Sequence, residues 1–403
     1  MGNCQSSTDG VVNGKRELKR NNSQANIHIV QPDIKVHTVV TGDMDFDHKG
    51  AMKIPLGEVS DEQLMAEVAR RNLDLHDKIT DQLVKETYEL GKVLGHGASG
   101  EVLYAKHKVT KGIFACKVVR KSSMNDAQSM STEIEIMKRI RHKHVVSMYE
   151  LYETPKCLWI VLELVDGGDL FHHLAETPDY CEEDAARHMR QMLQGVHYLH
   201  SLGVVHRDLK LDNILLSAKG RQSNVKLADF GLSALIRLGE QGYDPEESSK
   251  RKKYTGLRDM WGTKEYFAPE VIDQAYGPQA DVWALGCIMY EVLTGHQAFP
   301  IMRGEQDDRM LYNRIAQAKF SLDKHGLDSV SDGAKDMLQC MLCADPSKRM
   351  SASELPNHPW IQRTAPSTHE IDTAPLTSAH ETIKHKLEVR LAKEEERKAR
   401  RHA

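Results

Sequence analysis

Two short segments constrain this chain more than anything else in it: His206-Arg207-Asp208-Leu209-Lys210-Leu211-Asp212-Asn213 and, after a short gap, Asp229-Phe230-Gly231. Together they supply a carboxylate to orient a hydroxyl (Asp208) and an ammonium for phosphate charge (Lys210). They also supply two hard-oxygen ligands for magnesium, Asn213 and Asp229. A lone buried aspartate is usually structural. A set of polar residues matching in both type and spacing points instead to phosphoryl transfer.

Upstream, Leu94 precedes Gly95-His96-Gly97-Ala98-Ser99-Gly100-Glu101-Val102, where missing side chains let a strand-turn-strand approach phosphates closely. Taken alone this spacing is weak, because dinucleotide-binding units share it. No βαβ pattern follows, and Ala115-Cys116-Lys117 supplies a lysine on the next-but-one strand.

These motifs together resemble a eukaryotic protein kinase of the serine/threonine type, nearest to the calcium/calmodulin-dependent group. The resemblance covers 88–361 and implies an α+β, bilobal fold with a small β-rich lobe over a large helical one. It implies ATP and Mg2+ between the lobes, with Lys117 on the α- and β-phosphates and Glu133 orienting it. Adenine is expected between Val102 and Ala115 above and Leu215 below, meeting the backbone at Glu163 and Val165, with Leu162 just before them at the gatekeeper position. Asp208 is the expected proton acceptor, and Lys210 the neutraliser of the transferred phosphoryl group. Thr263, in Gly262-Thr263-Lys264-Glu265-Tyr266, is expected near both, as in serine/threonine rather than tyrosine kinases. Two positions depart from the family, which usually has proline where Leu211 and Lys264 stand. Neither touches the catalytic atoms, although Lys264 makes the pocket after the acceptor less predictable.

Between Asp229 and Glu270 lies a charged segment with Ser248, Ser249 and Thr255 as candidate phosphosites. Asp259 stands where many relatives carry a phosphorylated threonine, so an ion pair with Arg207 and weak dependence on loop phosphorylation are expected. Asp169 and Asp212 form the expected acidic surface for a substrate Arg or Lys upstream of the Ser/Thr acceptor. A solvated acidic surface without selectivity is the alternative. Glu270 and Arg349 are expected to pair in the scaffold.

Outside this domain, 1–57 is polar and expected to be mostly flexible, 58–87 helical, and 362–403 a charged tail. Met1-Gly2-Asn3-Cys4-Gln5-Ser6 fits myristoylation at Gly2, with Cys4 open to palmitoylation and Lys15, Arg16, Lys19 and Arg20 able to face anionic lipid. The expected location is therefore the cytoplasmic face of a membrane, with a cytoplasmic pool. The Asp45-Asp47-Gly50 fragment lacks the closing Glu of a calcium loop, since Leu56 stands there. Ile383, Leu387 and Leu391 suggest a helix over 379–400, either a solvated tail or an autoinhibitory segment. Its mixed charges do not make a persuasive calmodulin target.

The formal charge of -4 gives no reason to expect nucleic-acid binding, and seven scattered cysteines suit a reducing compartment. Of these, Cys340 and Cys343 are expected in an apolar helix rather than at a metal. Two other functions compete: a kinase acting mainly on its own tail, and a lipid-anchored scaffold that binds ATP without turnover.

Overall fold

The computed structural model describes residues 35–38, 82–97, 100–120, 134–154, 156–236, 256–302, 304–305, 307–322, 327, 330–362 and 373–402. Every described residue belongs to one compact unit, Asp33–Ala403. Gly2, Cys4, the basic residues after them and the Asp45 fragment lie outside the described residues. So does most of the helix expected over 58–87, of which only α1 (Gln82–Thr87) is described.

The small lobe is a six-stranded sheet of β1 (Lys35–Thr38), β2 (Tyr88–Gly97), β3 (Gly100–His107), β4 (Ile113–Arg120), β5 (Met148–Glu153) and β6 (Cys157–Glu163). Their order is β1-β5-β6-β4-β3-β2. Neighbours run antiparallel except β1, which lies parallel to β5 with Lys35 opposite Glu150. That strand falls within the stretch expected to be mostly flexible. Side-chain alternation along β4 divides its residues between two faces. Phe114, Cys116 and Val118 join Tyr88, Tyr152, Trp159 and Val161 on one face. On the other, Val119 packs with Ile134 and Met137 of α2 (134–139), and this parity turns Lys117 toward the interlobe side.

The large lobe begins with α3 (Leu170–Glu176) and α4 (Glu182–Ser201). Four short strands follow: β7 (Val204–Val205), β8 (Ile214–Leu216), β9 (Val225–Leu227) and β10 (Ala234–Leu235). Then come α5 (Pro269–Ile272), α6 (Gln279–Thr294), α7 (Arg309–Ala316), α8 (Asp332–Met341), α9 (Pro359–Gln362) and α10 (Thr377–His402). Every residue of α6 is buried, as expected of a helix apolar on all sides, so it forms the axis on which α4 and α8 pack. Gly295 ends it at φ +72°, and its N–H reaches Glu291 O at 2.8 Å.

The expected solvated tail is corrected in part. Ala379 and Ile383 are buried in the large lobe, and α10 packs on α3 and α6. Leu376 N–H donates to Tyr180 O at 2.8 Å. From Leu391 onward the described side chains are exposed, because the apolar stripe ends there. No helix among the described residues is long and apolar enough to cross a membrane.

Candidate active site

The segment from His206 to Asn213 is built on a buried carboxylate. Asp281, in the first turn of α6, accepts the N–H groups of His206 and Arg207, each at 2.9 Å, and faces His200 Nε2 at 2.8 Å. Burial pushes the Asp281 carboxyl up, but His200 and His206 outweigh it and leave the group below its ordinary range. Arg207 (φ +69°) and Asp229 (φ +63°) both adopt the left-handed region, a costly backbone state that surrounding contacts must hold. Gly262 explains part of that close fit. A Cβ there would lie 2.4 Å from Arg207 O, and its φ is +119°.

Asp208 stands at the centre of a polar ring. Its Oδ1 accepts the Thr263 hydroxyl at 2.8 Å, and its Oδ2 meets Lys210 Nζ at 2.7 Å. Lys210 also reaches Thr263 Oγ1 at 3.2 Å. Asn213 Nδ2 donates to Asp208 O at 2.8 Å and to Oδ2 at 3.2 Å, which leaves the amide oxygen for a cation. Three residues, two of them local and Thr263 from a distant segment, are thus brought within hydrogen-bond reach of one carboxylate.

On the interlobe side, buried Lys117 lies 3.3 Å from Asp229 Oδ1. Burial raises the Asp229 carboxyl, while the Lys117 charge and hydrogen bond pull it below its ordinary value. The amide oxygen of Asn213 and the Asp229 carboxylate are the hard donors that magnesium takes, so the residues present fit that ion. A Cβ at Gly95 would meet open space, whereas one at Gly100 would sit 2.0 Å from Val118 O. Gly95 thus leaves room above the cleft, and Gly100 lets β3 start against β4. Val102 and Leu215 are partly exposed and Ala115 is nearly buried. Glu163 spends its N–H on Ser147 O at 2.8 Å and its carboxylate on Lys226 at 2.5 Å. Val165 lies in the irregular chain that follows β6. Glu133, Ala98 and Ser99 lie outside the described residues, as does the side chain of His96.

Arg207 and Asp259 do not form the expected ion pair. The Arg207 guanidinium donates to Leu232 O and to Ser233 O, the latter at 3.3 Å. Asp259 instead offers its backbone carbonyl to the Tyr276 hydroxyl at 2.7 Å. The Leu257–Tyr276 bridge fixes the chain there and sets the course of the Asp259 backbone. Ser248, Ser249 and Thr255 lie outside the described residues.

The acidic surface is partly occupied from within the chain. Asp169 caps α3, accepting His172 N–H at 2.9 Å. Arg390 of α10 donates to Asp212 Oδ1 at 2.6 Å, lies 5.9 Å over the Phe171 ring, and feels the charge of Asp169. A buried carboxylate beneath went unread in the sequence. Glu291 accepts the Tyr266 hydroxyl at 2.7 Å and Lys386 Nζ at 3.0 Å. Its signal was an acid inside the otherwise apolar Tyr290-Glu291-Val292 stretch. Glu270 and Arg349 do pair, bidentate at 2.5 and 3.0 Å and buried, with the guanidinium 5.0 Å over Trp283.

Asp336, Cys340 and His358 gather their ligand atoms within 4.8 Å. However, His358 Nδ1 accepts the Trp360 N–H at 3.2 Å while Nε2 faces Asp336 at 3.1 Å. That pattern puts the ring proton on Nε2 and makes the group a hydrogen-bonded turn lock.

A family model for the protein kinase domain matches residues 88–361. The chain is 32% identical over 329 residues to a calcium/calmodulin-dependent protein kinase type 1 of Caenorhabditis briggsae, across 81% of this chain and 85% of that protein. It is 34% identical to myosin light chain kinase A of Dictyostelium discoideum, across 73% of this chain and 94% of that protein. A serine/threonine-protein kinase H1 homolog of Danio rerio is 33% identical, across 72% of this chain and 64% of that protein.

Proposed function

The chain belongs to the protein kinase domain family and is an ATP-dependent protein serine/threonine kinase, and from that premise we propose how its residues divide the work. Asp208 orients the substrate hydroxyl and takes its proton. Lys210 faces the transferred phosphoryl group, and Thr263 holds Asp208 and Lys210 in register. Lys117 binds the phosphates on the other side of the cleft. Magnesium, held by Asn213 and Asp229, supplies neutralisation of phosphate charge when bound. The observation that carries this reading is the ring of Thr263, Lys210 and Asn213 around one carboxylate. Asp208→Asn is expected to abolish transfer to a Ser/Thr peptide while ATP still binds. Undiminished transfer would remove Asp208 from the chemistry and reopen the scaffold alternative.

The substrate is a peptide with Arg or Lys upstream of the acceptor, recognised by Asp169 and Asp212. Arg390 supports this, because it is a guanidinium already seated on Asp212. An arrayed peptide library is expected to enrich upstream Arg, and Asp212→Asn to weaken that enrichment.

The same contact favours a second reading, in which α10 competes with substrates for this surface. Arg390→Ala is then expected to lower the peptide KM about two- to fivefold, the range of a half-exposed ion pair. An unchanged KM would make the tail a bystander. Calcium with calmodulin, suggested only by relatives' names, is tested in the same assay.

Anchoring through Gly2 and Cys4 rests on the sequence motif alone. Mass spectrometry of the N-terminal peptide from wild type and Gly2→Ala tests it directly.

A further inference from the structure

The turn Lys264–Tyr266 follows Thr263, so its placement sets where the Thr263 hydroxyl meets Asp208. Three side chains pin this stretch. At one end Thr263 bonds Asp208 and Lys210, and at the other Tyr266 bonds Glu291. Between them Lys264 Nζ forms an ion pair with Asp308 Oδ2.

A proline at that middle position would restrict the turn through its ring. Lysine gives no such restriction and leaves the backbone N–H in place. Asp308 precedes α7 directly yet makes no side-chain cap to it. An acid at that place normally accepts an N–H of the first turn. Its carboxylate goes to Lys264 and, at 3.5 Å, to the Tyr312 hydroxyl. That hydrogen bond to Asp308 also holds the Lys264 ammonium above its ordinary range. The pair therefore joins the end of the charged segment to α7, and α5, which follows the turn, packs on the same helix.

We infer that Lys264 is a positioning residue: its tether to Asp308 holds the Thr263 turn against Asp208 where the Arg207–Asp259 pair is not made. The inference rests on the reading of Asp208 given above. Neither partner need touch the nucleotide, and both are partly open to solvent, so the effect falls on the peptide and is modest.

The test is steady-state phosphorylation of a Ser/Thr peptide by full-length protein, with peptide and ATP varied in turn. Lys264→Ala and Asp308→Ala are each expected to lower kcat/KM for the peptide about two- to fivefold, with the KM for ATP unmoved. Lys264→Arg and the charge exchange Lys264→Asp with Asp308→Lys are expected to restore it to within about twofold. Rescue by the exchange is the readout that a merely structural lysine does not give. Unchanged kinetics in both alanine variants, a parallel rise in the KM for ATP, or an exchange no better than the single variants would each overturn the inference. Asp208→Asn run alongside separates the two claims. Transfer surviving in that variant refutes the role of Asp208, whereas transfer lost there with wild-type kinetics in Lys264→Ala refutes only the tether.

Discussion

Asp281 and Asp212 are both carboxylates that hold basic or N–H partners beside the cleft, yet they sit in opposite environments. Asp281 is 1% exposed and receives three donors from His200, His206 and Arg207. Asp212 is 40% exposed and receives Arg390, itself 47% exposed. Removing a partner from a buried, fully bonded carboxylate strands polar groups away from water. Breaking a half-exposed pair lets water take the vacated place. The buried hub is therefore scaffold, fixing the loop that carries Asp208. The rim pairs, Arg390–Asp212 and Lys264–Asp308, can exchange partners and so can affect substrates without disturbing the fold.

The largest effect is expected from breaking the buried hub. Asp281→Ala should cost about 3–5 kcal/mol in denaturant unfolding, and misplacement of the loop should lower transfer about a hundredfold or more. Gly262→Ala should come next, since the new Cβ meets Arg207 O at a backbone angle that favours glycine. A loss of about 1–3 kcal/mol and a kcat reduced about tenfold are expected, with the KM for ATP spared.

A buried group without an ionic partner sharpens the contrast. Burial chiefly lowers His188 to about 3, and His173 shifts the same way. Above the ordinary histidine value neither state is protonated there. As pH falls below it, the unfolded chain takes up a proton that the native site refuses, so stability drops until about pH 3. Urea midpoints at pH 7.5 and 5 should show this loss, and His188→Gln should shrink it. The Asp281 contribution has the opposite origin. Its depressed carboxyl gives stability that is present above the unfolded aspartate value and lost as pH falls through the folded one. The smallest effect belongs to the rim: Arg390→Ala should change unfolding stability by less than about 0.5 kcal/mol.

Much of the fold was readable in residue order. The large lobe expected to be helical contains Glu182–Ser201, Gln279–Thr294 and Asp332–Met341, because a long apolar period is a local property of the chain. The strand Lys35–Thr38 was not readable. Four residues carry too little pattern, and its hydrogen-bonding partner among the described residues is the edge of β5, distant in sequence. Glu291 was passed over because its role depends on Tyr266 and Lys386 arriving from other elements.

What the sequence determined by itself was chemistry: which side chains carry charge, hydroxyls and hard oxygens, and in what spacing they recur in this family. Tertiary structure decided the pairing. It placed Thr263 on Asp208, sent the Arg207 guanidinium to backbone carbonyls instead of to Asp259, set Lys264 against Asp308, and brought Arg390 onto Asp212 across the fold. The reason is physical. A residue type fixes what a group can bond, but packing and backbone course select the partner within roughly 3 Å that it does bond.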